Sequence, residues 1–269
     1  MMKVKRPTKH KSLLRYPGGK SFAVPIILPY FPEGVKEMVS PFFGGGSMEI
    51  ECAYNGIRVH GYDIFEPIVN FWQQVLTNKR KLYQAVRKYP IPLPKVKFYI
   101  LQKSYDKITD PVEKAAVFFV LNRTSFSGLT FSGGMSPKQH SWSDACIDKL
   151  REFQVGGLFN NNNKLSVELG DFNESLTKHQ DLFAYMDPPY LLETSNLYGD
   201  RGSTHKDFDH IGFFEKVKQM KNKWMISYNG HPDLLKMYKD YNIVTVEWQY
   251  SMRTKGGTKP SDEILIMNY

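Results

Sequence analysis

Three consecutive glycines, Gly44 to Gly46, constrain the fold of this chain more than any other feature. An apolar stretch from Val35 to Val39, interrupted by Lys36 and Glu37, precedes them, and a helix-capable segment from Met48 to Tyr54 follows. Strand, glycine turn and helix in that order open a nucleotide site in an α/β fold, because glycine lets the backbone approach a ligand closely. The run lacks the G-x-G-x-x-G spacing of a dinucleotide loop. A phosphate-binding loop fails too: Gly19-Lys20-Ser21 resembles its tail, but Leu14 stands where the earlier glycine is required. A glycine turn with neither spacing suits a nucleoside ligand that carries no phosphate.

Three further strand ends carry acids. Ile57 to Asp63 reads as the second strand, and Asp63 lies 17 residues after Gly46, near the ~20 at which an acid meets ribose hydroxyls. Taken alone, Asp63 is equally a helix N-cap. The strand-like Lys164 to Leu169 leads into Gly170-Asp171-Phe172, where the acid and ring could bond and cover an adenine or simply cap the next helix. The apolar run Leu182 to Met186 then ends in Asp187-Pro188-Pro189-Tyr190. Two prolines make a stiff turn with carbonyls held outward. A carboxylate that accepts from an –NH2 group and a ring that stacks complete a grip on a planar, amine-bearing base.

In this order, the features resemble the DNA adenine methylase (Dam) family over nearly the whole chain. The resemblance implies an α/β fold: a Rossmann-like class I methyltransferase sheet, mostly parallel with a terminal antiparallel hairpin, plus an inserted, mainly helical DNA-recognition domain. Leu14-Arg15-Tyr16-Pro17-Gly18-Gly19-Lys20 is similar to the N-terminal motif in which Tyr16 and Lys20 would reach the methionine part of S-adenosylmethionine. Pro41 to Ser47 resembles the cofactor loop, with Phe43, Gly44 and Gly46 as cofactor contacts and Gly45 where the family often has alanine. By the same resemblance Asp63 binds ribose, Asp171 and Phe172 bind adenine, and Asp187, Pro188 and Tyr190 are catalytic, with Asp187 also touching the cofactor. Leu121 to Leu129 resembles the start of the DNA-reading segment and implies Arg123 and Ser127 as DNA contacts. The family pattern carries asparagine near Ser127 and arginine soon after Leu129; Ser127 and Thr130 here imply a different target sequence.

The implied reaction is methyl transfer to the 6-amino group of adenine in double-stranded DNA, after the base flips out of the duplex. The implied partners are DNA and a cognate restriction nuclease; no metal is expected. Related constellations methylate cytosine, more often with serine at the first motif position, or glutamine amides, with asparagine there. RNA amines and a catalytically silent DNA-binding subunit are further alternatives.

Charge and composition agree with a DNA substrate. Lys and Arg outnumber Asp and Glu by 36 to 27 for a net charge of +9, which favours a polyanionic, salt-sensitive partner. Two cysteines, Cys52 and Cys146, provide neither a disulfide framework nor a cysteine-rich zinc site. No run of about 18 apolar residues exists and the N-terminus is basic without an apolar core behind it, so the expectation is an intracellular protein without a membrane partner.

The pattern divides the chain into a first catalytic part (12–78), an insert (79–163) and a second catalytic part (164–269). Within the insert, Ser125 to Ser143 is long for a connector. It interleaves Lys138, Gln139 and His140 with Phe126, Phe131 and Trp142, types suited to phosphate contact, base-edge reading and wedging between bases. Strands at Ile243 to Tyr250 and Glu263 to Met267 predict a hairpin whose tip carries Arg253 as a DNA contact. A helix over Phe208 to Lys221 is expected to bury Ile211, Phe214, Val217 and Met220.

Overall fold

The computed structural model describes residues 10–154, 164–191, 208–247 and 263–269. Its strands are β1 (Glu37–Ser40), β2 (Arg58–Asp63), β3 (Leu165–Leu169), β4 (Phe183–Met186), β5 (Trp224–Asn229), β6 (Asn242–Val246) and β7 (Glu263–Met267). They form one seven-stranded sheet in the order β3-β2-β1-β4-β5-β7-β6. The first five run parallel, with Met38 beside Val59 and Val39 beside Ala184. β7 enters antiparallel between β5 and β6, so the expected terminal hairpin is present, while its tip with Arg253 lies outside the described residues. Every residue of β4 and β7 is buried, as parallel and central strands covered on both faces require. The chain leaves β1 towards β2 on one side and pairs β1 with β4 on the other. That reversal opens a crevice beyond the carboxyl ends of both strands, where open α/β sheets hold their ligands.

Helices cover both faces: α1 (Val24–Ile27), α2 (Ser47–Tyr54), α3 (Glu66–Thr77), α4 (Lys79–Val86), α5 (Lys95–Ser104), α6 (Pro111–Thr124), α7 (Asp144–Glu152), α8 (Phe172–Lys178), α9 (His210–Lys218) and α10 (Pro232–Met237). α6 is set by local chemistry at its start: Asp110 accepts from Glu113 N–H at 2.7 Å and Pro111 takes the first helical position. Ala115 to Asn122 are then buried without interruption, the mark of a helix enclosed on all sides. α6 packs on α3 and α4, and the apolar side chains of α4 to α7 join the same core as those of β1 and β2.

α9 departs from the expected stripe. Asp209 caps it by accepting from Gly212 N–H at 2.9 Å, and the helix ends at Lys218. Phe213 and Val217 are its buried pair, whereas Ile211 is 69% exposed and Phe214 and Met220 are only partly covered. Phe213 and Ile211 start two stripes that run side by side, and the ring cluster around Phe213 decides which one turns inward.

Candidate active site

The crevice beyond β1 and β4 is a cavity lined by the N-terminal motif, the glycine turn, the ends of β2 and β4, and the start of α8. Tyr16, Lys20, Phe43, Gly44, Gly46, Asp63, Asp171, Phe172, Asp187, Pro188 and Tyr190 all border it. Residues separated by more than 170 positions in the chain thus share one wall.

The floor is a close approach between Tyr16 and the glycine turn. A Cβ added at Gly44 or Gly45 would lie 2.9 or 2.8 Å from Tyr16 side-chain atoms, so only glycine leaves the ring in place. Asp63 ties this turn to β2: its Oδ2 accepts from Gly44 N–H at 2.8 Å and its Oδ1 from Phe65 N–H at 2.9 Å. Burial raises the Asp63 carboxyl above its ordinary value, against the pull of those backbone donors. Asp171 is the N-cap of α8, accepting from Glu174 N–H at 2.8 Å. Phe43 is buried beneath the turn, edge-on to Trp72 at 5.7 Å.

At the far end Lys20, itself 5% exposed, bridges Asp187 and Tyr190. Its Nζ donates to Asp187 Oδ1 at 2.7 Å and to the Tyr190 hydroxyl at 2.8 Å. The Tyr190 hydroxyl donates onward to Glu263 Oε2 at 2.6 Å. Ser227 Oγ donates to Asp187 Oδ1 at 3.1 Å and is itself bonded to the Tyr185 hydroxyl at 3.0 Å. Asn229 holds the chain beyond Tyr190, its Oδ1 accepting from Leu191 N–H at 3.2 Å. Among the described residues both hydrogen-bond partners of Asp187 bind Oδ1, which leaves Oδ2 for a ligand.

Sequence reasoning missed several lining residues. Phe42 and Phe208 form a ring cluster with Phe172 and Phe213 at centroid separations of 5.2 to 6.0 Å. Ile64 borders the cavity directly after Asp63 and is exposed. Glu263 and Ser227 steady Tyr190 and Asp187 from β7 and β5. A carboxylate heading the apolar run Glu263-Ile264-Leu265-Ile266-Met267 was a usable signal, since a buried acid demands a partner. Ile64 and Phe208 follow no pattern that distinguishes them from ordinary core residues.

Residues 125–143 are more committed to the interior than their composition implied. Gln139 accepts from Leu93 N–H at 2.9 Å and donates to Leu93 O at 2.8 Å. Trp142 is buried with Nε1 bonded to Pro90 O at 2.9 Å, and Phe131 packs against Tyr105 at 4.6 Å. Trp142 is thereby committed to the interior, and Gln139 and Phe131 are each tied to a neighbouring part of the chain. Arg123 donates to Ser141 O at 3.0 Å and Leu13 O at 3.2 Å. Phe126 (61% exposed), Lys138 and His140 face outward. Ser127 has φ 55, and Gly128 beside it has φ 79. A Cβ at Gly128 would meet Arg15 O at 2.2 Å, and Asn122 bonds both the N–H and the C=O of Arg15 at 2.9 Å. The exposed turn is therefore locked to the segment that carries Tyr16 and Lys20.

What the arrangement can do follows from its parts. A flat ring fits between Ile64 and the phenylalanine cluster, a diol fits Asp63, and the glycine floor takes a flexible chain. These features fit the S-adenosyl group, and Asp187 with Pro188 adds acceptors for an amine in the same cavity. No helix among the described residues is long and apolar enough to cross a membrane.

Comparison with known proteins agrees. A family model described as D12 class N6 adenine-specific DNA methyltransferase matches residues 16–252. The type II methyltransferase M1.LlaDCHI of Lactococcus lactis subsp. cremoris is 27% identical over 277 residues, covering 95% of this chain and 94% of its own. The type II methyltransferase M.MjaIII of Methanocaldococcus jannaschii is 27% identical over 290 residues, covering 96% and 99%. The DNA adenine methylase of Escherichia coli (strain K12) is 27% identical over 286 residues, covering 96% and 95%.

Proposed function

The chain belongs to the D12 class N6 adenine-specific DNA methyltransferase family, and from that membership we propose that Asp187, Pro188 and Tyr190 hold the target adenine beside a bound S-adenosylmethionine. Its reaction is methylation of the 6-amino group of adenine in DNA. The observation that carries the site assignment is the junction at Lys20, where Asp187 and Tyr190 are held by one buried ammonium in the wall of the cavity.

The amine of adenine is a poor nucleophile because its lone pair is delocalised into the ring. Asp187 Oδ2 and the Pro188 carbonyl accept its two N–H groups, which favours a pyramidal nitrogen and localises the pair. When bound, S-adenosylmethionine supplies an electrophilic methyl on a sulfonium. Asp187 and Tyr190 contribute position and orientation, a large effect when both reactants are held in line. Asp187 need not deprotonate the amine beforehand, since the nitrogen becomes acidic once methylated and the proton leaves through the carboxylate. The Lys20 and Ser227 bonds to Oδ1 hold the carboxyl plane while Oδ2 works. Tyr190, anchored by Glu263, offers its ring to the base.

Such a pocket cannot accept a paired base, so the nucleotide flips out, at a cost of a few kcal/mol. The exposed Phe126 suits the space left in the duplex. Lys138 and Arg253 suit phosphate contact, and Ser127 suits a base edge. Arg123 supports reading through its grip on Leu13 and Ser141. Relatives named as type II methyltransferases support a cognate restriction nuclease as a partner, and the place of action is inside the cell, with the DNA.

The test is incubation with methyl-labelled S-adenosylmethionine and mixed-sequence duplex DNA, followed by mass analysis of the nucleosides. Label on the adenine 6-amino group is expected. Label confined to cytosine, or no labelled base, would overturn the substrate assignment.

A further inference from the structure

One acid in the cavity has no role yet. Glu49 sits in the first turn of α2, is 3% exposed, and borders the same cavity as Asp63 and Asp187. It accepts from Ser40 Oγ at 2.6 Å, at the end of β1. The other lining acids have their charge answered. Asp187 has the Lys20 ammonium, Asp63 has two backbone N–H groups, and Asp171 has the Glu174 N–H. Among the described residues the ion pairs include no cation for Glu49.

Its surroundings add more negative charge. Asp63 faces it from β2 and Asp187 from β4, Tyr185 of β4 and Cys52 of its own helix lie within electrostatic reach, and Ser40 is its hydrogen-bond donor. Burial, aided by Asp187 and Asp63, pushes the Glu49 carboxyl up to about 7 despite the Ser40 bond. A buried acid without a cation is costly when ionised, and a ligand that brings positive charge relieves that cost.

The position identifies which charge. If adenine lies at Phe172, ribose at Asp63 and the reacting methyl at Asp187, Glu49 is the cavity-lining acid left for the amino-acid tail of the cofactor. We propose that Glu49, oriented by Ser40, receives the α-ammonium of the cofactor's methionine moiety. This rests on the reading of the cavity as an S-adenosylmethionine site.

Calorimetric titration with two ligands tests it. S-adenosylhomocysteine carries the ammonium; 5′-methylthioadenosine keeps the nucleoside and thioether but lacks the amino acid. In Glu49→Gln, affinity for S-adenosylhomocysteine falls ten-fold or more at pH 8, while affinity for methylthioadenosine stays within two-fold. Ser40→Ala shows a smaller loss with the same selectivity. In the wild type, affinity for S-adenosylhomocysteine rises as pH increases from 6 to 8, because the carboxyl must be ionised to bind. Methylthioadenosine shows no such rise, and Glu49→Gln abolishes it. A thermal melt checks the fold: a carboxyl raised from 4.5 to about 7 stabilises only while protonated and loses that contribution as pH climbs through 7, so Glu49→Gln melts no lower than wild type at pH 8.

Equal loss for both ligands, or no loss for either, overturns the assignment of Glu49. Should Glu49→Gln fail to fold, the Ser40→Ala selectivity and the wild-type pH profile decide in its place. A wild type that binds neither ligand overturns the cofactor reading itself, and this inference with it.

Discussion

At the carboxyl ends of β2, β3 and β4 the acidic side chains border a cavity, whereas in residues 125–143 several polar side chains face the protein's own backbone. Asp63, Asp171 and Asp187 each spend one or two lone pairs on local donors and retain others towards the cavity. In residues 125–143 Gln139 is bonded to both the N–H and the C=O of Leu93 and Trp142 to Pro90, while Arg123 at the end of α6 is tied to Leu13 and Ser141. Strand ends are held by the sheet and need no side chains to stay in place. A long excursion has no ladder on both sides, so it recruits its own polar groups as fasteners. The first region is thus sensitive in function and the second chiefly in stability, except where a side chain faces outward.

The sharpest way to break this contrast is Asp187→Ala. It removes the Oδ2 acceptor at the reacting nitrogen and leaves the glycine turn, Asp63 and the phenylalanine cluster untouched. Methyl transfer should fall by about 10^3-fold or more, the scale on which positioned polar groups act. Cofactor affinity, followed by calorimetry, should remain within a few-fold. Near-normal single-turnover rates would take Asp187 out of the chemistry.

A matched pair within residues 125–143 sharpens it further. Gln139→Ala strands both the N–H and the C=O of Leu93, which should cost about 1–3 kcal/mol of stability without changing the preferred DNA site. Phe126→Ala removes an exposed ring and should leave stability within about 0.5 kcal/mol. It should lower DNA affinity or turnover roughly ten-fold, given a stacking contribution of about 1–3 kcal/mol. Denaturant melts beside filter-binding curves would separate the two. Equal behaviour of the variants would mean that burial does not divide structural from reading residues here.

The same contrast explains what could be read in the sequence. The strands and the terminal pairing follow from short apolar runs, the parallel order was implied by the family resemblance, and the acids ending β2 and β4 were visible because a strand end is also a sequence boundary. Asp171 was legible as both ligand candidate and cap, and it is a cap. Orientation was not legible. The helical spacing around α9 permits either the Ile211 or the Phe213 stripe inward, and only contact with Phe42, Phe172 and Phe208 chooses Phe213. Gln139 and Trp142 have the composition of DNA readers, and nothing in a linear pattern shows that Leu93 and Pro90, more than 40 positions earlier, occupy them. Glu263 became a site residue only when β7 inserted beside β5 and brought its carboxylate to Tyr190.

Lys138 gives the smallest effect. It is exposed, so the folded state loses little when it is truncated. A lysine that neutralises one phosphate contributes through counterion release, and its removal weakens binding almost uniformly across sequences. Lys138→Ala should therefore reduce DNA affinity only roughly two- to five-fold near physiological salt, with the slope of log affinity against log salt shallower by about 1. Sequence preference and methylation rate at saturating DNA should be unchanged. A slope identical to wild type would show that Lys138 does not reach a phosphate, leaving Phe126 and Ser127 as the part of this segment that meets DNA.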